Sequence, residues 1–259
     1  MFTPQGPTLR ELTVQALSSV EHGYDLLAPK FDATPFRTSD RILSSVTRAL
    51  EGLGPFDAGL DVCCGTGAGL PVLRSVCAGR VTGVDFSANM LAEARRRHPA
   101  ATLVRADALA LPFTASFDLA VSFGAFGHFL PDAQRTLFAQ VHAALRPGGL
   151  LAFPLPAPPP VGSRAYWTLW AFDAAMRVRN AVLRPPFVMY YRTFRLPDVR
   201  TRLEEAGYEV AHRPLPEFGT REDGSPRCRL VLARKAGESA AEEAGEVREG
   251  DRPTAPRRR

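Results

Sequence analysis

From Ala58 onward the chain alternates short apolar runs with stretches of helical spacing. Gly59–Cys63, Arg80–Asp85, Thr102–Ala106, Phe117–Phe123 and Leu150–Leu155 predict strands, and Leu70–Ala78, Ala88–His98 and Asp132–Leu145 predict the helices between them. Strands alternating with helices at this spacing imply a parallel sheet covered on both faces by right-handed crossovers, a doubly wound α/β core. Ahead of it, Leu9–Leu27 and Thr38–Leu50 read as two helical stretches broken by Pro29 and Pro35.

Past the fifth strand the pattern changes. The run from Phe153 to Pro160 carries four prolines between Pro156 and Pro160, which lack the amide hydrogen, so it predicts a stiff exit that continues neither ladder nor helix. Arg164–Leu183 has helical spacing, with Trp167, Trp170, Ala174 and Val178 on one face and Asp173, Arg177, Asn180 and Arg184 on the other. Pro185 and Pro186 end it. Leu196–Ala206 predicts a further helix closed by Gly207, and strands are expected at Tyr208–His212 and Arg227–Arg234, with a turn-rich link from Gly219 to Pro226 between them. Residues 236–259 have almost no large apolar side chain and read as a disordered tail. There is no internal repeat.

Composition narrows the class. Of 259 residues 45% are hydrophobic and 23% charged, which excludes a fibrous or wholly disordered chain. The four cysteines, Cys63 and Cys64 adjacent and Cys77 and Cys228 apart, form neither a disulfide framework nor a zinc spacing, so a reducing compartment and no metal are expected. Met1–Val20 has no uninterrupted apolar core and nothing reaches the roughly 20 apolar residues of a membrane span. A soluble cytoplasmic protein is expected. The net charge is +5, and the segment 161–195 alone carries +5 through Arg164, Arg177, Arg179, Arg184, Arg192 and Arg195 against Asp173.

The strongest chemical signal is Gly59-Leu-Asp-Val-Cys-Cys-Gly-Thr-Gly-Ala-Gly69, a strand running through a glycine-rich turn into a helix. Glycine there permits positive φ and a close backbone approach, and the helix start offers free amides, so the turn suits a nucleotide-type ligand. A dinucleotide fingerprint wants a small residue where Leu70 stands. Asp85 closes the second strand twenty residues after Gly65, where an acceptor-only carboxylate can take both hydroxyls of a ribose. Asp107 closes the third, where it can accept from the exocyclic amine of an adenine. A turn or helix cap explains either aspartate taken singly, but less well two acids on successive strand ends beside a glycine turn.

Over roughly residues 40–155 the sequence resembles the class I S-adenosylmethionine-dependent methyltransferases, in the branch that acts on quinones and other small molecules. The resemblance rests on Leu60-Asp-Val-Cys-Cys-Gly-Thr-Gly67, Gly83-Val-Asp-Phe-Ser-Ala-Asn-Met-Leu91, Asp107 with Leu111-Pro-Phe113, Ser116-Phe-Asp-Leu-Ala-Val-Ser122 and Leu145-Arg-Pro-Gly-Gly-Leu150. It implies S-adenosyl-L-methionine as cofactor, with Asp61, Gly65, Thr66 and Gly67 shaping the methionine pocket. By the same resemblance Asp85 holds the ribose, Phe86 or Met90 packs near the adenosine, Asp107 and Ala108 read the adenine edge, and Phe123 faces the methionine amine. It further implies a mostly parallel seven-stranded sheet whose last strand runs antiparallel. One departure is that Cys63 stands where the family has the first glycine of the turn. The Cys63–Cys64 pair also has a redox reading, weighed against that of small apolar fillers.

The domain plan that follows is a helical lid over 1–50, the methyltransferase domain over 51–235 with a cap or substrate insertion at 161–195, and the tail. Transfer from a sulfonium needs alignment and a dry site more than an acid, and a base only where the acceptor loses a proton. His128, just past the fourth strand, is the candidate base, with His22 a weaker one. Tyr24, Trp167, Trp170 and Tyr190 are candidate acceptor contacts, and the aromatic, arginine-rich insertion suits a hydrophobic small molecule such as a quinone, lipid or secondary metabolite, or a peripheral membrane contact. The enzymatic alternative is an RNA methyltransferase, since arginine interleaved with aromatics also suits nucleic acid, although no RNA-binding module is appended. A scaffold that binds the cofactor without turnover is the non-enzymatic alternative, kept open by Cys63. A nicotinamide oxidoreductase would leave Asp107 and Arg146-Pro-Gly-Gly149 unexplained.

Overall fold

The computed structural model describes residues 6–8, 11, 20–34, 36–126, 129–183 and 196–237. Seven strands make one sheet: β1 Gly59–Val62, β2 Val81–Asp85, β3 Thr102–Arg105, β4 Phe117–Val121, β5 Leu145–Pro156, β6 Tyr208–Pro214 and β7 Cys228–Lys235. Their order is β3-β2-β1-β4-β5-β7-β6. The first five pair in parallel, and β7 runs antiparallel to both β5 and β6. The chain starts at β1, steps outward to β3 and then returns to β4 on the other side of β1. The switch point between β1 and β4, at the carboxyl ends of the strands, is where such sheets leave a crevice for a ligand.

The α-helices placed among the described residues are α1 Val20–Leu27, α2 Asp40–Glu51, α3 Leu70–Val76, α4 Ala88–Arg97, α5 Pro131–Ala144, α6 Arg164–Leu183 and α7 Leu196–Glu205. Two apolar clusters build the core, one on each side of the sheet. Leu137, Phe138 and Val141 of α5 and Val199 and Leu203 of α7 pack with Leu60, Phe117 and Phe153 in the first. Val46 and Leu50 of α2 and Leu70 and Leu73 of α3 pack with Leu119, Val121 and Leu150 in the second. Every residue of β1 and of β2 is buried, which is why they read as continuous apolar runs rather than as alternating ones.

The sequence expectation for the proline run differs from the structure. The proline run does not stop β5 at Leu155: the ladder with β7 continues through Pro154 and Pro156, opposite Leu230 and Cys228. The Ala157 amide donates to the Arg227 carbonyl, so the odd-numbered residues of β5 turn their amides to β7 and the two prolines face the other way. On that side the pairing with β4 has already ended at Ala152, and the missing amide hydrogens cost nothing. In α6 the polar set is split: Asp173 is turned into the protein at 1% exposure while Arg177 is exposed, and Trp167 and Trp170 stand out at 55% and 48%.

The Leu145-Arg-Pro-Gly-Gly149 motif opens β5 as an irregular start, with a register shift against β4 and Gly148 at φ +74°. Arg146 Nη1 donates to both oxygens of Asp118 at 3.0 and 3.1 Å, and Asp118 accepts from the Ala58 and Asp57 amides. This contact fastens the amino ends of β1, β4 and β5, the edge opposite the crevice. The expected tail lies outside the described residues from position 238 on.

Candidate functional site

β1 ends at Val62, and the chain enters the turn through Cys63, in the left-handed region at φ +59°. A non-glycine residue there costs roughly 1–2 kcal/mol, so the position where the resemblance expects glycine is one whose backbone asks for it. Burial pushes the Cys63 thiol well above its usual range, and Asp85, Asp61 and Asp107 around it push it further. It is therefore a protonated thiol rather than a reactive thiolate. Cys64 is buried, with its amide on the Val84 carbonyl at 2.9 Å, which fits the filler reading.

Gly65 and Gly67 follow at φ +51° and +89°. A Cβ on Gly67 would fall 2.7 Å from the His98 ring and 2.9 Å from Leu70, whereas one on Gly65 would enter open space. The turn is thus packed on its helix side and open on the crevice side. Beyond it, a Cβ on Gly69 would fall 2.5 Å from Asp61 Oδ2 and 2.6 Å from the Phe123 ring. Asp61, Gly69 and Phe123 therefore meet at one point, where β1, α3 and the end of β4 converge. Ser122 Oγ donates to the Val62 carbonyl at 2.9 Å and ties the ends of β4 and β1 together.

Asp61 is 1% exposed, and neither carboxylate oxygen has a well-formed hydrogen bond among the described residues. Burial, reinforced by the charge of Asp85, raises its carboxyl well above the ordinary carboxylate range, opposed only by the neighbouring Gly69 amide. A buried acid without a partner is costly, and a cationic group brought against it would relieve that cost. Asp85 is in a different state. Its Oδ2 accepts from the Gly65 amide and its Oδ1 from the Ser87 amide, both at 2.9 Å, while burial still raises its carboxyl. It anchors the glycine turn to the end of β2.

A set of contacts absent from the sequence reading covers this edge. Asp25 of α1 accepts from Ser87 Oγ at 2.5 Å and from the Asn89 amide at 3.1 Å, and Asn89 Nδ2 donates to the Asp25 carbonyl. Ser87 is the N-cap of α4, accepting from the Met90 amide. Farther along, Asp32 accepts from Thr66 Oγ1 at 2.7 Å and pairs with Arg97, and Glu21 pairs with Arg105. The segment from α1 through Ala33 is thereby bound to the ends of β1, β2 and β3. Tyr24 meets Phe86 edge to face at 6.2 Å. The acid that reaches the Ser87 cap, Asp25, lies 62 residues away and leaves no local pattern.

The remaining expected positions are scattered. Asp107 is exposed and accepts from the Leu109 amide in a local turn, next to buried Ala108. Met90 is fully enclosed, and His22 is exposed on α1. Trp167 and Trp170 lie on α6 in edge-to-face contact with each other at 6.1 Å, not against the glycine turn. His128 and Tyr190 lie outside the described residues. A separate cavity of about 390 Å³ lies beside the turn, lined by Thr66, Asp32, Arg37, Arg97 and His98 among others, with neither Asp61 nor Asp85 in its wall.

The sheet order and the antiparallel β7 define a doubly wound domain, with Asp61 and Asp85 gathered beside its glycine turn. Residues 60–149 match the family described as "Methyltransferase domain". The chain is 34% identical over 140 residues to a 2-phytyl-1,4-naphtoquinone methyltransferase of Nostoc sp. PCC 7120, covering 50% of this chain and 61% of that one. It is 31% identical over 184 residues to an O-methyltransferase of Penicillium expansum, covering 66% and 57%. A solved SAM-dependent methyltransferase of Methanosarcina mazei shares the fold at TM-score 0.53 and 18% identity, over 71% of this chain and 95% of its own. Over this region the chain is similar to methyltransferase domains, and its fold is shared with a solved SAM-dependent methyltransferase. The chain spans about three fifths of the length of the curated relatives it matches.

Proposed function

We propose that the protein transfers the methyl group of S-adenosyl-L-methionine to a hydrophobic small molecule of quinone, lipid or secondary-metabolite type. The observation that carries the cofactor half of this reading is the unpartnered, buried carboxylate of Asp61 beneath Gly69 and Phe123. The amino-acid end of the cofactor brings an ammonium group that complements it. Gly65 offers open space in front of the turn, and Asp85 keeps acceptor capacity beyond its two amide bonds for the hydroxyls of a ribose. Phe86 flanks that position together with Tyr24, and Asp107 with Ala108 stands at the next strand end for the base. The donor set thus fits the group.

When bound, the cofactor supplies an electrophilic methyl group on a positively charged sulfur. The protein's part is to align and enclose. Asp61 holds the cationic end, the Gly65–Gly67 turn lets the backbone approach, and the segment 20–33 covers the edge as a lid latched by Asp25 and Asp32. Water exclusion matters because the charge disperses as the bond to sulfur breaks. Where the acceptor is a phenol or hydroquinone, His128 is the proton acceptor in this reading.

The acceptor half rests on the two relatives' chemistry and on the aromatic composition of the insertion. Its test is label transfer: methyl-tritiated S-adenosylmethionine, the purified chain and a panel of 1,4-naphthohydroquinones, catechols and tRNA. Label extracted into organic solvent with the hydroquinones supports the reading. Label precipitating with tRNA instead would replace it.

A further inference from the structure

α6 has an unusual exposed side. Over four turns Trp167, Trp170, Ala171, Val178, Ala181 and Val182 lie within about a third of the helix circumference and all are exposed, Val178 and Val182 at 64% and 74%. Val161, just before the helix, is 85% exposed. Among the described residues the charges that border this stripe are arginines, Arg164 on one side and Arg177 on the other, both exposed. The single acid of the helix, Asp173, is buried and points away from it. Exposed apolar area of this extent calls for a cover.

We propose that the outer face of α6 seats on an anionic lipid surface. Charge decides between this and a second copy of the chain. Two copies meeting face to face would bring arginine against arginine with no exposed acid on the helix to offset it, whereas an anionic headgroup layer accepts both arginines. Tryptophan is suited to the same place, since its ring is apolar and its N–H stays within reach of headgroups. A helix of 20 residues lying flat extends about 30 Å, long enough for the stripe to engage along its length. Among the described residues no helix is long and apolar enough to cross a membrane, so α6 would lie on the surface. The inference deepens the proposed function, on which it rests for its purpose: an acceptor dissolved in lipid would be met at the surface that holds it.

The test exploits a feature of the sequence: Trp167 and Trp170 are the only tryptophans of the chain, so intrinsic emission reports on this face alone. The full chain is mixed with vesicles of pure phosphatidylcholine or of phosphatidylcholine with a third phosphatidylglycerol. A blue shift and co-flotation are expected with the anionic vesicles, with partitioning about tenfold above that on the neutral ones and weakened by salt. Trp167→Ala with Trp170→Ala abolishes flotation and leaves S-adenosylmethionine affinity unchanged by calorimetry. Arg164→Gln with Arg177→Gln retains the tryptophans and removes the preference for anionic vesicles. No flotation and no shift with either vesicle overturns the proposal. So does a blue shift that grows with protein concentration in the absence of vesicles, which would assign the face to a second copy. The flotation and emission readouts require neither cofactor nor acceptor, so failure of the methyltransferase reading would appear separately, as absent cofactor binding in the calorimetry.

Discussion

The glycine-turn edge and the outer face of α6 treat polar groups in opposite ways. At the first, Asp85, Ser87 and Asp25 are tied to one another or to backbone amides, Asp32 is held by Thr66 and Arg97, and one carboxylate, Asp61, is left buried and unmatched. At the second, apolar side chains are left uncovered and the charges stand in solvent. An unmatched group inside a satisfied network marks where a small ligand completes the structure. Uncovered apolar area marks where a larger surface does. In the proposed reading the first kind lies on the cofactor side and the second on the side that meets lipid.

The sharpest way to break that contrast is at Asp85. Asp85→Ala strips the Gly65 and Ser87 amides of their acceptor along with the ribose hydroxyls, so S-adenosylmethionine affinity is expected to fall by more than about tenfold. Unchanged affinity in an equilibrium-dialysis measurement would remove Asp85 from the site. Asp61→Asn tests the unmatched group itself. Because burial raises the Asp61 carboxyl, the folded chain keeps a proton there that the unfolded chain has released. The resulting stability is present below the ordinary carboxylate range and is lost as pH rises through the raised value. Asn cannot ionise, so the ligand-free variant should gain about 1–3 kcal/mol at about pH 8, with the gain shrinking toward about pH 4, in thermal melts across that range. Cofactor affinity should fall in the same variant.

Two smaller effects sharpen the picture. Asp25→Ala cuts the latch between α1 and the α4 cap and should cost about 1 kcal/mol locally. Hydrogen exchange should then speed up across 20–33 while the sheet amides keep their protection; uniform acceleration would mean that α1 belongs to the core. Cys63→Gly relieves roughly 1–2 kcal/mol of left-handed strain against roughly 0.5–1 kcal/mol of added unfolded-state entropy, leaving about 0.5 kcal/mol of net stabilisation to be read as a raised denaturation midpoint. A fall in midpoint would show that the thiol packs better than its backbone suffers.

Most of the sheet was legible because parallel strands buried on both faces read as apolar runs bounded by turn residues, and their ends fell within a few residues of expectation. The glycine turn was legible because its backbone restricts which residues can stand there. Other features depend on what lies across from a residue rather than on what lies beside it. Pro154 and Pro156 fit a strand only because β4 has already ended on their side. The spacing in α6 showed which residues share a face but not which of them turn inward, as Asp173 does. The latches through Asp25 and Asp32 join positions 62 and 34 residues apart and leave no local pattern.

The edge holding Asp61, Gly65 and Asp85 is the proposed S-adenosylmethionine site. Titration calorimetry of the whole chain with S-adenosylmethionine, S-adenosylhomocysteine and NADH in parallel tests it most directly. Micromolar binding of the first two and none of the third is the predicted result. No heat from either sulfur compound, or binding of NADH in their place, would contradict it.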